Sequence, residues 1–400
     1  KAPTIHGDGG QTRDFTFVEN AVQANIRACF TENSDAFGDA YNVAVAERTT
    51  ILDLFGIIKN YLGLEMNPNF VEPRNGDIRD SLADISKGAN LFGYKPNYTF
   101  KNNKLTPEKF VLGRALFYDE ILSKDNTVSC ASCHQQIAAF AHIDHKLSHG
   151  IYGRIGNRNI PALQNLIWNK EFMWDGGINH IEIQAIAPMT NPLEMDESLP
   201  RILTKLKASD KYKDLFYKAF KDSTISSQRF LKALTQFMGL MITNQSKYDK
   251  YIAGKEEFNE EEKQGLTLFE KKCASCHTAP LFTNNEYKNN GIAVDTSLHD
   301  IGRALITGGE KDYYSYRVPT LRNIERTYPY MHDGRFRKLK DIINFYGDPA
   351  NFSETSDPLL QKIGLLTFDE KQQIIAFLKT LTDYEFLRDK RFIDPNFRRY

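Results

Sequence analysis

The sequence predicts a mainly α-helical chain built on a duplicated module, preceded by an N-terminal helical extension. Three observations lead there. Apolar residues recur at three- and four-residue spacing, as in Val43, Ile51, Leu54, Phe55 and Ile58, the pattern of helices with one buried face. Few runs alternate apolar with polar residues, so strands are sparse. Two runs, Cys130-Ala-Ser-Cys133-His134 and Cys273-Ala-Ser-Cys276-His277, stand 143 residues apart, each after a similar phrase, Gly113-Arg-Ala-Leu116-Phe117 and Gly265-Leu-Thr-Leu268-Phe269.

Taken in order, residues 15–31, 35–64 and 77–91 read as the helices of an extension over 1–103, interrupted by the turn signals Asn67-Pro68 and Pro73-Arg-Asn-Gly76. Thr106-Pro107 supplies a cap and a first-turn proline for the helix before the first cysteine pair, and Asn259 with Glu262 resembles a capping box before the second. These helices open two domains, 104–255 and 256–400. Residues 201–241 read as two or three further helices and 368–381 as another. The Gly-, Asn- and Pro-rich stretches 143–161, 284–335 and 347–359 are too long to be mere connectors and are expected to wrap the functional sites.

A chain of 400 residues, 41% hydrophobic, buries a sizeable core without disulfides. Fifty-one basic residues balance fifty-one acidic ones, which removes the long-range attraction a nucleic-acid binder uses. No run approaches eighteen apolar residues, so no membrane span is expected. The chain opens at Lys1 with no apolar leader, the expectation for a processed product whose export signal is not readable.

The five cysteines are an odd set dominated by two close pairs. Cys-x-x-Cys-His is the pattern of covalent c-type haem attachment. Two thiols one helical turn apart add to the two vinyl groups of one porphyrin, while the adjacent imidazole reaches the iron. Cys130, Cys133 and His134 therefore predict one haem, and Cys273, Cys276 and His277 a second. The rival readings are a zinc site from four thiols or a redox-active pair, and neither requires histidine after the second cysteine in both copies. Cys29 stands alone in an apolar helical pattern and reads as a buried, inert thiol. Covalent haem attachment is an export-side process in bacteria, so the periplasm is the expected location.

Several phrases together carry a resemblance: Leu112-Gly-Arg-Ala-Leu-Phe-Tyr-Asp119, the first haem motif, Arg158-Asn-Ile-Pro161, Trp174-Asp-Gly176, Gln184-Ala185, Pro188, Glu194-Met195, Val318-Pro-Thr-Leu-Arg-Asn-Ile324 and Tyr328-Pro-Tyr-Met-His-Asp-Gly334. Over about residues 104–385 the sequence resembles the bacterial di-haem cytochrome c peroxidase family, which includes the MauG-type protein-oxidising enzymes. The resemblance implies that Glu194 is the acid/base at the N-terminal haem, with Gln184 orienting peroxide and Pro188 shaping the distal side. It gives His149 as the histidine that caps this iron at rest, with His142 and His145 as rivals in the same loop. It makes Trp174 the electron relay between haems and places a calcium ion on Asn159, Thr327 and Pro329. At the second iron it puts Tyr346 where ordinary cytochrome c peroxidases have methionine, with Met331 as the rival sulfur donor. A thioether favours ferrous iron and a phenolate ferric iron. His6, His180 and His299 read as surface or structural residues, and Trp168 as packing.

The expected activity is reduction of hydrogen peroxide with electrons from a cytochrome c or cupredoxin. The alternative is a MauG-type oxidation of tyrosine or tryptophan on a partner protein, and a pure electron carrier is the non-enzymatic reading. A homodimer is compatible with either enzyme.

Overall fold

The computed structural model describes residues 2–16, 18–29, 31, 33–61, 64–94 and 103–396, and they fall into two compact units, Lys1–Glu108 and Lys109–Tyr400. The first unit carries the helices Val18–Cys29, Ile51–Tyr61 and Ser86–Phe92. Thr4–His6 runs parallel to Asn69–Val71, and Thr12–Arg13 antiparallel to Thr49–Thr50. The core of this unit is small: Ala24, Ala36, Phe92 and Tyr94, with Tyr41 edge-on to Phe92 at 4.8 Å and Tyr94 Oη donating to Ala44 O at 2.7 Å.

The helix expected over 35–64 forms only at Ile51–Tyr61. The Asp14 carboxylate accepts the backbone N–H groups of Val45 and Ala46 at 3.1 Å and of Ala83 at 3.3 Å, which commits that chain to a loop, and Ala46 has φ +58°, outside the helical region. The helix expected over 77–91 is likewise confined to Ser86–Phe92, because Arg79 O and Ser81 N pair with the Thr12 backbone in extended form. Cys29 ends the first helix, and its side chain lies outside the described residues.

The second unit contains two separate cores. One gathers around the helices Pro107–Phe117, Leu199–Ala208, Asp210–Phe220 and Ser227–Gly239. The other gathers around Glu260–Lys272, Leu339–Tyr346 and Phe368–Lys379. Asn259 does close a capping box: its Oδ1 accepts Glu262 N at 2.9 Å while Glu262 Oε2 accepts Asn259 N at 2.8 Å. Thr367 and Glu370 repeat the device before the last long helix. The 201–241 region resolves into three helices.

The two cores share one construction. A Cβ on Gly113 would lie 2.0 Å from Ala233 O, and a Cβ on Gly265 would lie 1.9 Å from Gln373 O. In each core, then, two helices cross so closely that only glycine fits at the crossing. Four residues on from each glycine, Phe117 packs against Phe237 at 5.0 Å and Phe269 against Phe377 at 4.8 Å. Phe140 and Phe282 complete the trios, 5.9 Å from Phe117 and 5.7 Å from Phe269. Aromatic pairs of this kind add roughly 0.5–1.5 kcal/mol each beyond area burial.

A buried polar network ties the modules together. Asp383 accepts Thr243 Oγ1, Asn244 N and Gln245 N at 2.9–3.0 Å and donates its own N–H to Asn323 Oδ1 at 2.7 Å. Phe386, Leu387 and Phe392 then return the chain to the first core. Among the described residues no helix is long and apolar enough to cross a membrane.

Gly265→Ala is expected to lower stability by about 1–3 kcal/mol, the usual cost of overpacking. Gly56→Ala is the contrast: its Cβ would meet nothing within 4 Å, in mid-helix, and stability should hold or rise by up to about 1 kcal/mol. Thermal melts of the two holoproteins decide it, and equal melting points would contradict the close crossing.

Candidate active site

Each cysteine pair sits where its helical core delivers it. Cys130–Cys133 form one helical turn opened by a Ser129/Ser132 capping box, and Cys273 ends the Glu260–Lys272 helix. All four thiols are unpaired. Burial pushes the thiols of Cys130 and Cys273 up to about 12 and that of Cys133 up to about 11, the last with help from the nearby Glu194 charge.

The two histidines behave alike. His134 Nδ1 lies 2.7 Å from Phe140 O and His277 Nδ1 lies 3.1 Å from Phe282 O. A carbonyl only accepts, so Nδ1 carries the proton and the Nε2 lone pair is left for a metal. Burial pulls both imidazoles down to about 4, which keeps them neutral, as a ligand must be.

Around the second pair lies a cavity of about 240 Å³ lined by Cys273, Cys276, His277, Trp174, Met331 and Tyr346. Both candidate distal donors are therefore present. Tyr346 Oη donates to Met331 Sδ at 4.0 Å, and burial holds the phenol well above its usual range. Asn290 Nδ2 donates to the same sulfur at 3.3 Å. Arg317 also lines this cavity, reaching Met173 O and Asn285 Oδ1 at 3.4 Å each. Bonds that long leave its guanidinium with capacity for an anion such as a haem propionate.

On the first side, Glu194 sits in the Asn191–Met195 turn, half-buried. Asn191 Nδ2 donates to Glu194 Oε1 at 3.2 Å, and Ile151 N donates to Glu194 O at 2.9 Å. Burial raises the Glu194 carboxyl and the Asn191 amide works against it. Gly150 makes this approach possible, since a Cβ there would lie 2.2 Å from Leu193 O and 2.4 Å from Glu194 O. Pro188 O accepts Met195 N at 3.3 Å, so Pro188 and Glu194 belong to one braced turn. Gln184 ends the Ile181–Gln184 helix, buried, with its Oε1 unpartnered.

The three loop histidines form a ladder: His142 to His145 at 5.2 Å and His145 to His149 at 4.0 Å between ring centroids. His149 O accepts the Cys133 thiol at 3.5 Å, which sets His149 beside the first haem motif. His180 caps the Gln184 helix through Nδ1, and His6 bonds Glu72 O, structural tasks in both cases.

Trp174 links the two modules. Its Nε1 donates to Asn159 O at 2.8 Å and its carbonyl accepts Arg317 N at 2.7 Å. Asn159 gives its Nδ2 to Lys146 O at 2.8 Å, which turns Oδ1 the other way, and it lines the same cavity as Thr327 and Pro329. Arg158 fixes the neighbourhood, chelating Asp300 at 2.7 Å through two nitrogens and pairing with Asp175. Arg317 and Asn290 carry no motif, and only their loop, already marked as too long for a connector, pointed toward them; Arg158 stands in the Arg158-Asn-Ile-Pro161 phrase, which gave it no role.

Unpaired thiols one turn apart, a histidine held in the ligating tautomer, an apolar-walled cavity and an orphaned Gln184 oxygen all fit covalently bound haem. The family model described as di-haem cytochrome c peroxidase matches residues 107–257, and that of cytochrome c matches 262–382. Cytochrome c551 peroxidase of Nitrosomonas europaea is 35% identical over 277 residues, 68% of this chain and 79% of the relative. The methylamine utilization protein MauG of Methylophilus methylotrophus is 32% identical over 293 residues, 70% of this chain and 84% of the relative. The crystal structure of a MauG-like protein associated with microbial copper homeostasis superposes with a TM-score of 0.69 at 32% identity, over 74% of this chain and 95% of the other. With two glycine-crossed haem modules and relatives of both kinds along the same span, this chain belongs to the di-haem cytochrome c peroxidase family.

Proposed function

We propose that this oxidoreductase, carrying two c-type haems, works in the periplasm and reduces hydrogen peroxide to water with electrons from a small redox protein, a cytochrome c or a cupredoxin. The observation that carries the reading is the Glu194 carboxylate, braced beside Cys133 by Gly150, Ile151 and Asn191. A haem held by Cys130, Cys133 and His134 would supply the redox chemistry for cleaving the O–O bond of peroxide. Glu194 takes the proton from one peroxide oxygen and returns it to the other; with two electrons and two protons overall, two waters leave. The Gln184 amide, buried and otherwise unpartnered at Oε1, orients peroxide, while Pro188 closes the distal side. His149 is the group that covers or vacates this position. Trp174, hydrogen-bonded to one module and accepting from the other, carries electrons between them. Asn159 Oδ1 with the carbonyls of Thr327 and Pro329 offers the hard oxygen donors that calcium prefers.

A second reading has its own support. Tyr346 faces the second haem cavity where a phenolate would favour oxidised iron, and two of the relatives above carry MauG in their names. In that reading the oxidising equivalents are used on tyrosine or tryptophan of a partner protein.

Cys273→Ser with Cys276→Ser should leave one covalent haem per chain instead of two, counted by haem assay after acid–acetone extraction. Glu194→Gln should cut peroxide turnover by about 10²–10⁴ while both haems stay attached, and unchanged turnover would defeat the acid/base role. Because burial raises the Glu194 carboxyl and the base form is the active one, turnover should fall as pH drops through a midpoint above that of an exposed glutamate. Asn191→Ala removes the donor that favours the charged form, so it should move that acid limb to higher pH. Rapid mixing of peroxide with the diferric protein separates the two readings. A long-lived near-infrared absorption supports partner-protein oxidation, and inertness until prereduction supports peroxide reduction.

A further inference from the structure

The second haem cavity holds two competing donors, with Tyr346 Oη and Met331 Sδ 4.0 Å apart. A phenolate and a thioether bias iron in opposite directions, so a site containing both needs something that decides between them. Asn290 stands beside them. Its Oδ1 accepts Ile292 N at 3.3 Å, and only an acceptor can face a backbone N–H, so the amide cannot flip. Nδ2 therefore points at Met331 Sδ, 3.3 Å away.

The turn carrying Asn290 is pinned on both flanks. Asn289 accepts Gly291 N at 2.9 Å through Oδ1, gives Nδ2 to Thr355 Oγ1 at 3.1 Å, and takes Asp357 N on its carbonyl at 2.9 Å. Gly291 has φ +76° and lies so near Ser356 that a Cβ would fall 2.5 Å from its hydroxyl, so no other residue fits there unstrained. Met331 is itself in the left-handed region at φ +74°. The sulfur thus has a fixed backbone and a fixed donor.

We propose that Asn290 is a positioning residue that ties the Met331 sulfur off the metal and so leaves Tyr346 as the distal ligand of the C-terminal haem. The Asn290 N–H occupies the Met331 sulfur at 3.3 Å, while the phenol gives that sulfur only its hydroxyl proton, at 4.0 Å, and keeps its oxygen lone pairs for a metal. The inference rests on the reading of Tyr346 as ligand.

The test is spectroelectrochemical titration of the C-terminal haem in the holoprotein, with ligand-specific near-infrared and electron paramagnetic resonance spectra. Asn290→Leu, close in volume and without donors, should release the sulfur. At a fixed applied potential the ferrous-to-ferric ratio should rise about tenfold or more, about 59 mV for one electron, with a methionine–iron signature. Adding Met331→Leu to Asn290→Leu should abolish that rise. Met331→Leu alone should leave potential and spectra unchanged, and this readout does not depend on the Asn290 variant folding. An unchanged potential in Asn290→Leu, a rise that persists in the double variant, or a shift in Met331→Leu alone would each overturn the proposal. Tyr346→Phe addresses the reading beneath it: if the ferric spectrum of this haem does not change, Tyr346 is not a ligand. If it does change while Asn290→Leu has no effect, only the role of Asn290 fails.

Discussion

Both haem modules depend on a helix crossing that admits no side chain at Gly113 or Gly265. The close crossing brings Phe237 onto Phe117 and Phe377 onto Phe269, and these rings bury Phe140 and Phe282. Each of those phenylalanines has a positive φ, +61° and +55°, a conformation that costs a bulky residue about 1–3 kcal/mol. Burial of the ring offsets that cost, since fully burying a phenylalanine is worth about 1.5–3 kcal/mol. The twisted backbone turns the carbonyl back toward His134 or His277, where it takes the Nδ1 proton. A methyl group added at the glycine would therefore act, several contacts away, on the orientation of the imidazole that binds iron.

Buried polar groups join the modules, alongside the apolar return of Phe386, Leu387 and Phe392 to the first core. Asp383 gathers three donors from the 243–245 link, and Arg322 chelates Asp249. Arg158 spans from Asp175 to Asp300. Buried ion pairs contribute little net stability because desolvation opposes attraction. Their directional geometry instead specifies one arrangement of the modules. Trp174 is held between them by a hydrogen bond at each end, so its ring position is set by the same contacts that set the module spacing.

Residues whose role is fixed by local spacing were legible in the sequence. The two Cys-x-x-Cys-His runs, the Asn259 capping box, the two or three helices read over 201–241 and the duplicated glycine–phenylalanine phrases all express rules that act within a few residues. The Asn-Pro-Leu-Glu turn was legible only through resemblance, because nothing local distinguishes Glu194 from an ordinary loop carboxylate. What brings it beside Cys133 is the missing side chain of Gly150, more than forty positions earlier in the chain. The overextended helices at 35–64 and 77–91 failed for the same reason: the groups that interrupt them, Asp14 and Thr12, lie 30 to 70 residues away.

Duplication also accounts for two sites with like proximal halves and unlike distal ones. The proximal halves are nearly superimposable in their logic, since glycine crossing, phenylalanine trio and carbonyl-bound histidine recur in each. The distal halves come from segments outside the two glycine-crossed helix pairs, 142–195 in one module and 285–346, ending in the Leu339–Tyr346 helix, in the other. One loop offers a carboxylate, an orphaned amide and a ladder of histidines, groups suited to moving protons. The other offers a phenol, a thioether and a fixed asparagine, groups suited to setting a potential. Different distal surroundings thus need no change in the glycine-crossed helices. They follow from placing a carboxylate and histidines on one segment and a phenol and a thioether on the other, on two copies of the same scaffold.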